Sequence, residues 1–265
     1  MLTYENLISY AKERGMPPEK TRGIIREYLQ VLILKILYSE KNSRMFSFTG
    51  GTYLRLANLT KRFSEDIDFY SGRMDSSIFQ ESVAQIADKL EKYNIKSKLS
   101  FEKRENLFTA GIHFIGIEEE YGLHGGKRGA IVIKIETAVP KWRIKTSQRV
   151  INGYGETFIT SCLDESILMA DKIDAIYKKP RGRHIYDIIY LLSKKIEPDK
   201  EILRKYGYKD SWNEMLLKRF KEFSDSELKK FAEQLGPFMF DEDEKRKIID
   251  AKRIVGELGK INQKD

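Results

Sequence analysis

Between Tyr4 and Ser39 the apolar positions return every three or four residues, and the spacing predicts two helices, Tyr4 to Arg14 and Pro18 to Ser39. The second carries a stripe of Ile24, Ile25, Tyr28, Leu29, Val31, Leu32 and Ile36, a face suited to packing on a sheet. The period then changes. Phe46-Ser47-Phe48 reads as a short strand, Gly50-Gly51 as a tight turn, and Thr52 to Leu59 as a short helix. From Glu65 to Tyr70 polar and apolar residues alternate, which sends Ile67 and Phe69 into a core and puts Asp66 and Asp68 together on the opposite face. Ser76 to Lys92 returns to a helix through Phe79, Val83, Ile86 and Leu90. Lys96 to Lys103, Leu107 to Ile117 and Gly129 to Val139 read as strands, the last two joined by the glycine-rich connection Leu123 to Gly129. From Asp164 almost to the end the pattern is helical, broken at Pro198 and Pro237. The expected architecture is α+β: a mixed sheet flanked by helices and followed by a helical C-terminal part. A boundary near Gly155 divides the chain into 1–155 and 156–265.

Composition narrows this only a little. A chain of 265 residues is long enough for one large or two modest domains with real cores. Lys and Arg exceed Asp and Glu by 48 to 40, a net charge of +8 that permits an anionic partner without requiring one. The single cysteine, Cys162, excludes an internal disulfide; beside Leu163 it reads as a buried thiol in a reducing compartment. No run of eighteen apolar residues exists, and the N-terminal MLTYENLISY lacks a basic region followed by an apolar core. A cytoplasmic protein without membrane insertion is therefore expected.

The chemistry lies between Phe46 and Tyr70. A helix that starts at a glycine turn offers unpaired N–H groups to an anion, so Gly50, Gly51 and Thr52 form a candidate phosphate cradle. Asp66 and Asp68, side by side on one strand face, repel unless a cation stands between them. Mg²⁺ takes oxygen ligands and commonly arrives with substrate phosphates. Glycine pairs also make ordinary turns and Asp-x-Asp also makes solvated strand faces; the order strand, glycine turn, helix, acidic strand favours the functional reading. In the run Ile131 to Thr137, Lys134 and Glu136 share a face, and Glu136 is either a third metal ligand or half of a surface pair with Lys134. Lys172 has the apolar helical neighbours Leu168, Met169, Ala175 and Ile176, which shield it. Lys178, Lys179, Arg181 and Arg183 precede a helix that contains Asp187, one turn beyond Arg183, a spacing that also suits a simple ion pair. The turn His124 to Gly129 is basic but lacks the ending of a P-loop and reads as a hairpin turn.

The Gly-Gly turn followed by Asp-x-Asp resembles the first motif of the DNA polymerase β-like nucleotidyltransferase superfamily. More narrowly, Gly50-Gly51-Thr52, the Leu54-Arg55-Leu56 helix and Arg62 to Phe69 resemble the nucleotidyltransferase AbiEii/AbiGii toxin family, and Asp164 to Leu192 is similar to its later block. The resemblance implies a polymerase-β-like fold and a growth-arresting toxin restrained by a separate antitoxin. It implies Asp66 and Asp68 as catalytic metal ligands, with a third acid on a neighbouring strand where this chain has Glu136. It also implies Lys172 at the nucleotide phosphates, Arg183 approaching them, and Asp187 in the active site. Many relatives carry an acid where this chain has His184, so no role transfers there. The implied reaction moves NMP from an NTP, with Mg²⁺, to RNA, a tRNA end in particular. Two other classes fit the residues alone: a metal-dependent nuclease with the same carboxylates, and a non-catalytic nucleic-acid-binding module.

Overall fold

The structure, a computed structural model, describes residues 1–123 and 130–261; the connection His124 to Gly129 lies outside them. The chain forms two compact units. One comprises Met1–Leu59 with Phe63–Leu163, and the other Thr60–Arg62 with Asp164–Asp265.

The first unit opens with helices α1 (Tyr4–Glu13) and α2 (Thr21–Tyr38), then β1 (Ser47–Thr49), α3 (Gly50–Asn58), β2 (Ile67–Tyr70) and α4 (Ser76–Glu91). It continues through β3 (Ser97–Arg104), β4 (Leu107–Phe114), the single turn α5 (Ile117–Glu120), β5 (Val132–Ala138), β6 (Thr146–Gly153) and β7 (Glu156–Leu163). The strands make one sheet in the order β3-β4-β5-β2-β1-β7-β6. β2 runs parallel to β5 and β1 parallel to β7, and the remaining pairs are antiparallel. One face is apolar. Phe48, Ile67, Phe69, Phe108, Ala110, Ile112, Ile133 and Ile135 are buried on it, α4 packs over β3 and β4, and α2 packs against β7. Removing that alternate set from water drives the sheet together and fixes its register, since a one-residue slip would turn every side chain over.

A buried ion pair stitches α2 to α3: the Arg55 guanidinium donates to Glu27 at 2.7 and 3.2 Å, and Arg14 joins Glu27 at 3.3 Å. Such charges are tolerated inside only because they are matched.

The sequence pattern does not announce β6 and β7. They form a hairpin around Tyr154 and Gly155, both with positive φ, and β7 then returns to lie beside β1. A boundary at Gly155 therefore falls in a hairpin turn. The glycine marks backbone curvature inside the sheet, and the units divide after Leu163. β4 ends at Phe114, ahead of the expected Ile117, because Gly116 takes φ +72° and starts α5.

The second unit is helical: α6 (Glu165–Lys178), α7 (Gly182–Ser193), α8 (Lys200–Lys205), α9 (Trp212–Glu222), α10 (Asp225–Leu235), α11 (Glu242–Ile249) and α12 (Ala251–Ile261). Asp164 caps α6 by accepting from the Ser166 N–H at 2.9 Å, and Ser224 and Glu227 form a capping box on α10. Pro198 precedes α8, and Pro237 sits in a short 3₁₀ turn after α10, at the expected breaks. Thr60–Arg62 is drawn into this unit by backbone pairing. Arg62 bridges Met239, and the Phe240 N–H donates to the Lys61 carbonyl at 3.1 Å.

Candidate active site

Asp66 immediately precedes β2 and Asp68 lies within it, both half-buried, between the buried Ile67 and Phe69. The antiparallel register sets Phe48 opposite Phe69 on the apolar face and Thr49 opposite Asp68 on the other. From Thr49 the chain enters α3 directly. Gly50 is the first helical residue, with φ +79°, and a Cβ built on it would lie 2.1 Å from Asp68 Oδ2. The bare α-carbon is what lets the Asp68 carboxylate rest against the start of the helix. Gly50→Ala is accordingly expected to cost about 2 kcal/mol or more in a thermal or urea melt, and to lower activity further by pushing the carboxylate away.

The segment before β2 is held by its backbone. Gln30 Nε2 donates to the carbonyls of Ser64 and Glu65, each at 3.1 Å, and the Thr52 hydroxyl donates to the Asp66 carbonyl. This modifies the expected cradle. Gly50 and Gly51 form the first turn of α3, all three of Gly50, Gly51 and Thr52 are buried, and the Thr52 hydroxyl is engaged with the backbone. The hydroxyl left unpaired at this turn is that of Thr49. It shares the face of Asp68 and caps nothing, and its Oγ1 is buried without a partner among the described residues. Nothing in the sequence singles Thr49 out; only strand register brings it to the site.

Glu136 stands directly across from Asp68 in the parallel β2–β5 pair. Its carboxylate, however, turns along its own strand to Lys134, Oε1 to Nζ 2.9 Å. The hydrogen bond to Glu136 raises the Lys134 pKa against the opposing effect of burial, and the charges of Glu136, Asp66 and Asp68 add to the rise. Among the described residues no three His, Cys, Asp or Glu side chains gather as a metal cage. Of the two roles expected for Glu136, its carboxylate here takes the pair with Lys134, while its backbone stands beside Asp68. Two carboxylates beside an uncapped helix start still fit Mg²⁺, which is commonly held by one or two carboxylates plus substrate phosphates.

In the second unit the structure brings together Arg62, Lys172 and Asp187. Asp187, on α7, is fully buried; Arg62 donates to its two carboxylate oxygens through Nε and Nη2 at 2.8 Å each. Lys172 Nζ, from α6, sits 2.8 Å from Asp187 Oδ2. Burial alone would raise the Asp187 pKa, but the two cations and their hydrogen bonds outweigh it and hold the carboxyl below the usual range. Lys172 is shielded as its apolar neighbours predict, its side chain 11% exposed. Arg183 is half-buried in the first turn of α7, and Asp187 answers Lys172 and Arg62 rather than serving as its one-turn partner alone. Arg62 escapes sequence reasoning because its partner lies 125 residues away. His184 is kept neutral, its pKa pushed down to about 3 by burial and by Lys172, and its Nδ1 is buried without a partner among the described residues.

The fold is α+β, a mixed sheet flanked by helices with an acidic strand after a glycine-started helix, and by its family the protein is a nucleotidyltransferase. Among solved structures it is similar to JHP933 from Helicobacter pylori, with TM-score 0.60 and 14% identity over 92% of this chain and 94% of that one. It is also similar to MenT4, a nucleotidyltransferase toxin from Mycobacterium tuberculosis, with TM-score 0.60 and 15% identity over 100% and 93%. Identity this low speaks for the fold alone. No curated protein matches the sequence. The family model of the nucleotidyl transferase AbiEii toxin, type IV toxin–antitoxin system, matches residues 33–252, and the chain belongs to that family.

Proposed function

We propose that this toxin is a Mg²⁺-dependent transferase that moves NMP from an NTP to an RNA acceptor, a tRNA end, in the cytoplasm, and that a separate antitoxin protein restrains it. The observation that carries the reading is the Asp68 carboxylate seated on Gly50 at the start of α3, with the Thr49 hydroxyl on the same face. That no helix among the described residues is long and apolar enough to cross a membrane is compatible with it.

In this reading Asp66 and Asp68 hold Mg²⁺, which lends positive charge where the reacting phosphate gathers negative charge. The N–H groups at the start of α3 and the Thr49 hydroxyl receive phosphate oxygens. Lys172 meets the triphosphate as a fixed cation, and Arg183 with the exposed Lys178, Lys179 and Arg181 attracts the anionic substrates. An acceptor hydroxyl oxygen bonds to the α-phosphorus, the bond to the β-phosphate bridging oxygen breaks in line, pyrophosphate departs and the hydroxyl proton passes to solvent. The chain's contribution is position and preorganised charge. Asp187, without solvent exposure, is a positioning residue: it keeps the Lys172 ammonium in one place.

Purified protein incubated with each α-labelled NTP, Mg²⁺ and total RNA is expected to place label on an RNA band, with little or none when Mg²⁺ is chelated. RNA shortened without incorporation would turn the assignment to a nuclease. Absence of both reactions under all four nucleotides would leave the transferase without its proposed acceptor.

A further inference from the structure

The acidic strand ends in an aromatic corner. Tyr70 follows Asp68 by two residues on β2, so the two side chains share a face of the sheet, about 7 Å apart along the strand. In register, Tyr70 stands between Ser47 on β1 and Ala138 on β5, both small, which leaves room for its ring. The chain leaving β5 fills part of that room: Trp142 meets Tyr70 edge to face, ring centroids 5.4 Å apart and planes at 83°. Both residues are half-buried, and in an edge-to-face pair the edge-on ring keeps both of its faces clear of the other. From Lys141 to Lys145 exposure alternates, with Lys141, Arg143 and Lys145 exposed and Trp142 and Ile144 half-buried. No acid interrupts this run, and Arg73, just beyond β2, is exposed as well. Arg73, Lys141 and Arg143 form no ion pair among the described residues. Of the acids at this end, Asp75 caps α4 by accepting from the Ile78 N–H at 2.9 Å. Glu105 stands in the β3–β4 turn, where the Asn106 carbonyl accepts from the Val139 N–H at 2.8 Å.

We propose that this corner, Tyr70 and Trp142 with Arg73, Lys141 and Arg143, is the docking surface for the acceptor, a single-stranded RNA end. Aromatic rings offer stacking surfaces that any base can use, and cations spaced along the chain track a phosphate backbone; single strands are bound by that combination. A duplex keeps its base faces inside its own stack and cannot use the rings. An acidic protein segment would match the cations but leave the ring faces unused. Position agrees with the assignment. Tyr70 pairs with Ser47 at one end of the β1–β2 ladder and Asp68 with Thr49 at the other, where α3 starts without a side-chain cap. An RNA end stacked on the rings and a triphosphate at the helix start would therefore approach Asp68 from opposite ends of β2. This inference rests on the reading of the protein as a transferase of NMP to RNA.

The test is fluorescence anisotropy of a labelled single-stranded RNA of about ten nucleotides titrated with the full chain over a series of salt concentrations, beside NMP transfer to total RNA. Trp142→Ala is expected to weaken binding about ten- to a hundredfold, and Trp142→Phe, which keeps a ring, by much less. The double variant Lys141→Gln with Arg143→Gln should make the slope of log affinity against log salt shallower by about 1.4, and raise the KM for RNA with that for NTP unchanged. Thermal melts confirm folding, and the charge variant, altered only at exposed positions, decides the matter if Trp142→Ala melts early. The matching duplex should bind weakly. Unchanged affinity and salt slope in the folded charge variant, while wild type transfers NMP, would overturn the docking surface and leave the transferase standing. Polyglutamate bound in preference to RNA would turn the surface toward an acidic protein partner and overturn the proposal. RNA binding that follows the variants as expected, without transfer by wild type, would support the surface and overturn the transferase reading instead.

Discussion

Asp68→Asn is expected to reduce nucleotide transfer by about a hundred- to a thousandfold while leaving the melting curve close to that of wild type. Asn has the same shape as Asp, so it still fits over Gly50, where a Cβ would collide with the Asp68 carboxylate. What changes is charge. One ligand to the metal becomes neutral, and one of three neighbouring negative charges is removed from the face shared with Glu136. Losing a member of a repulsive set should keep apo stability within about 0.5 kcal/mol of wild type or raise it slightly. Asp66→Asn should behave alike, since the Thr52 hydroxyl holds the Asp66 backbone carbonyl and not its side chain. The measurement pairs α-labelled NTP transfer rates with a thermal melt. Transfer near the wild-type rate by a folded Asp68→Asn protein would remove the acid pair from the mechanism.

The parts of this site that were legible in the sequence are those set by local periodicity. Alternation along Glu65 to Tyr70 put Asp66 and Asp68 on one face, and strand burial agrees with it. Alternation along β5 likewise put Lys134 and Glu136 together, and both of the roles offered for Glu136 were visible; register then brought it beside Asp68 while Lys134 took its carboxylate. The shielding of Lys172 followed from its helical neighbours. What the sequence hid depends on long-range pairing. Thr49 matters through its register with Asp68. Arg62 matters because backbone pairing with Met239 carries its short segment into the helical unit, where it meets Asp187. β6 and β7 were obscured by their polar, exposed outer positions, and the turn at Gly155 then looked like a boundary. Local pattern specifies faces; only tertiary closure specifies partners.

Asp187→Asn should be strongly destabilising to the second unit, because it removes a fully buried carboxylate that meets two buried cations, Arg62 at 2.8 Å and Lys172 at 2.8 Å. Breaking a buried pair by deleting one partner strands the other charge, a loss of about 3–5 kcal/mol, which lowers the melting temperature by roughly ten degrees in a protein of this size. Lys172→Met leaves the bidentate Arg62–Asp187 pair intact, so it should cost less stability but weaken nucleotide use, seen as a raised KM for NTP. The pH dependence separates the carboxylate from its surroundings. The Asp187 carboxyl is held below the usual range, so its contribution is complete above the unfolded value near pH 4 and is lost as pH falls through the lower folded value. His184, pushed down to about 3, contributes stability that is complete above about pH 6.5 and lost on the way down toward 3, in wild type and variant alike. Both proteins should therefore weaken below pH 6.5, but the gap between them should hold until about pH 4 and close only below it. Chemical denaturation of wild type and Asp187→Asn at pH 7, 5 and 3 checks this. Coincident curves at pH 7 would show that Arg62 and Lys172 do not depend on Asp187, and the lysine would then need another means of being held in place.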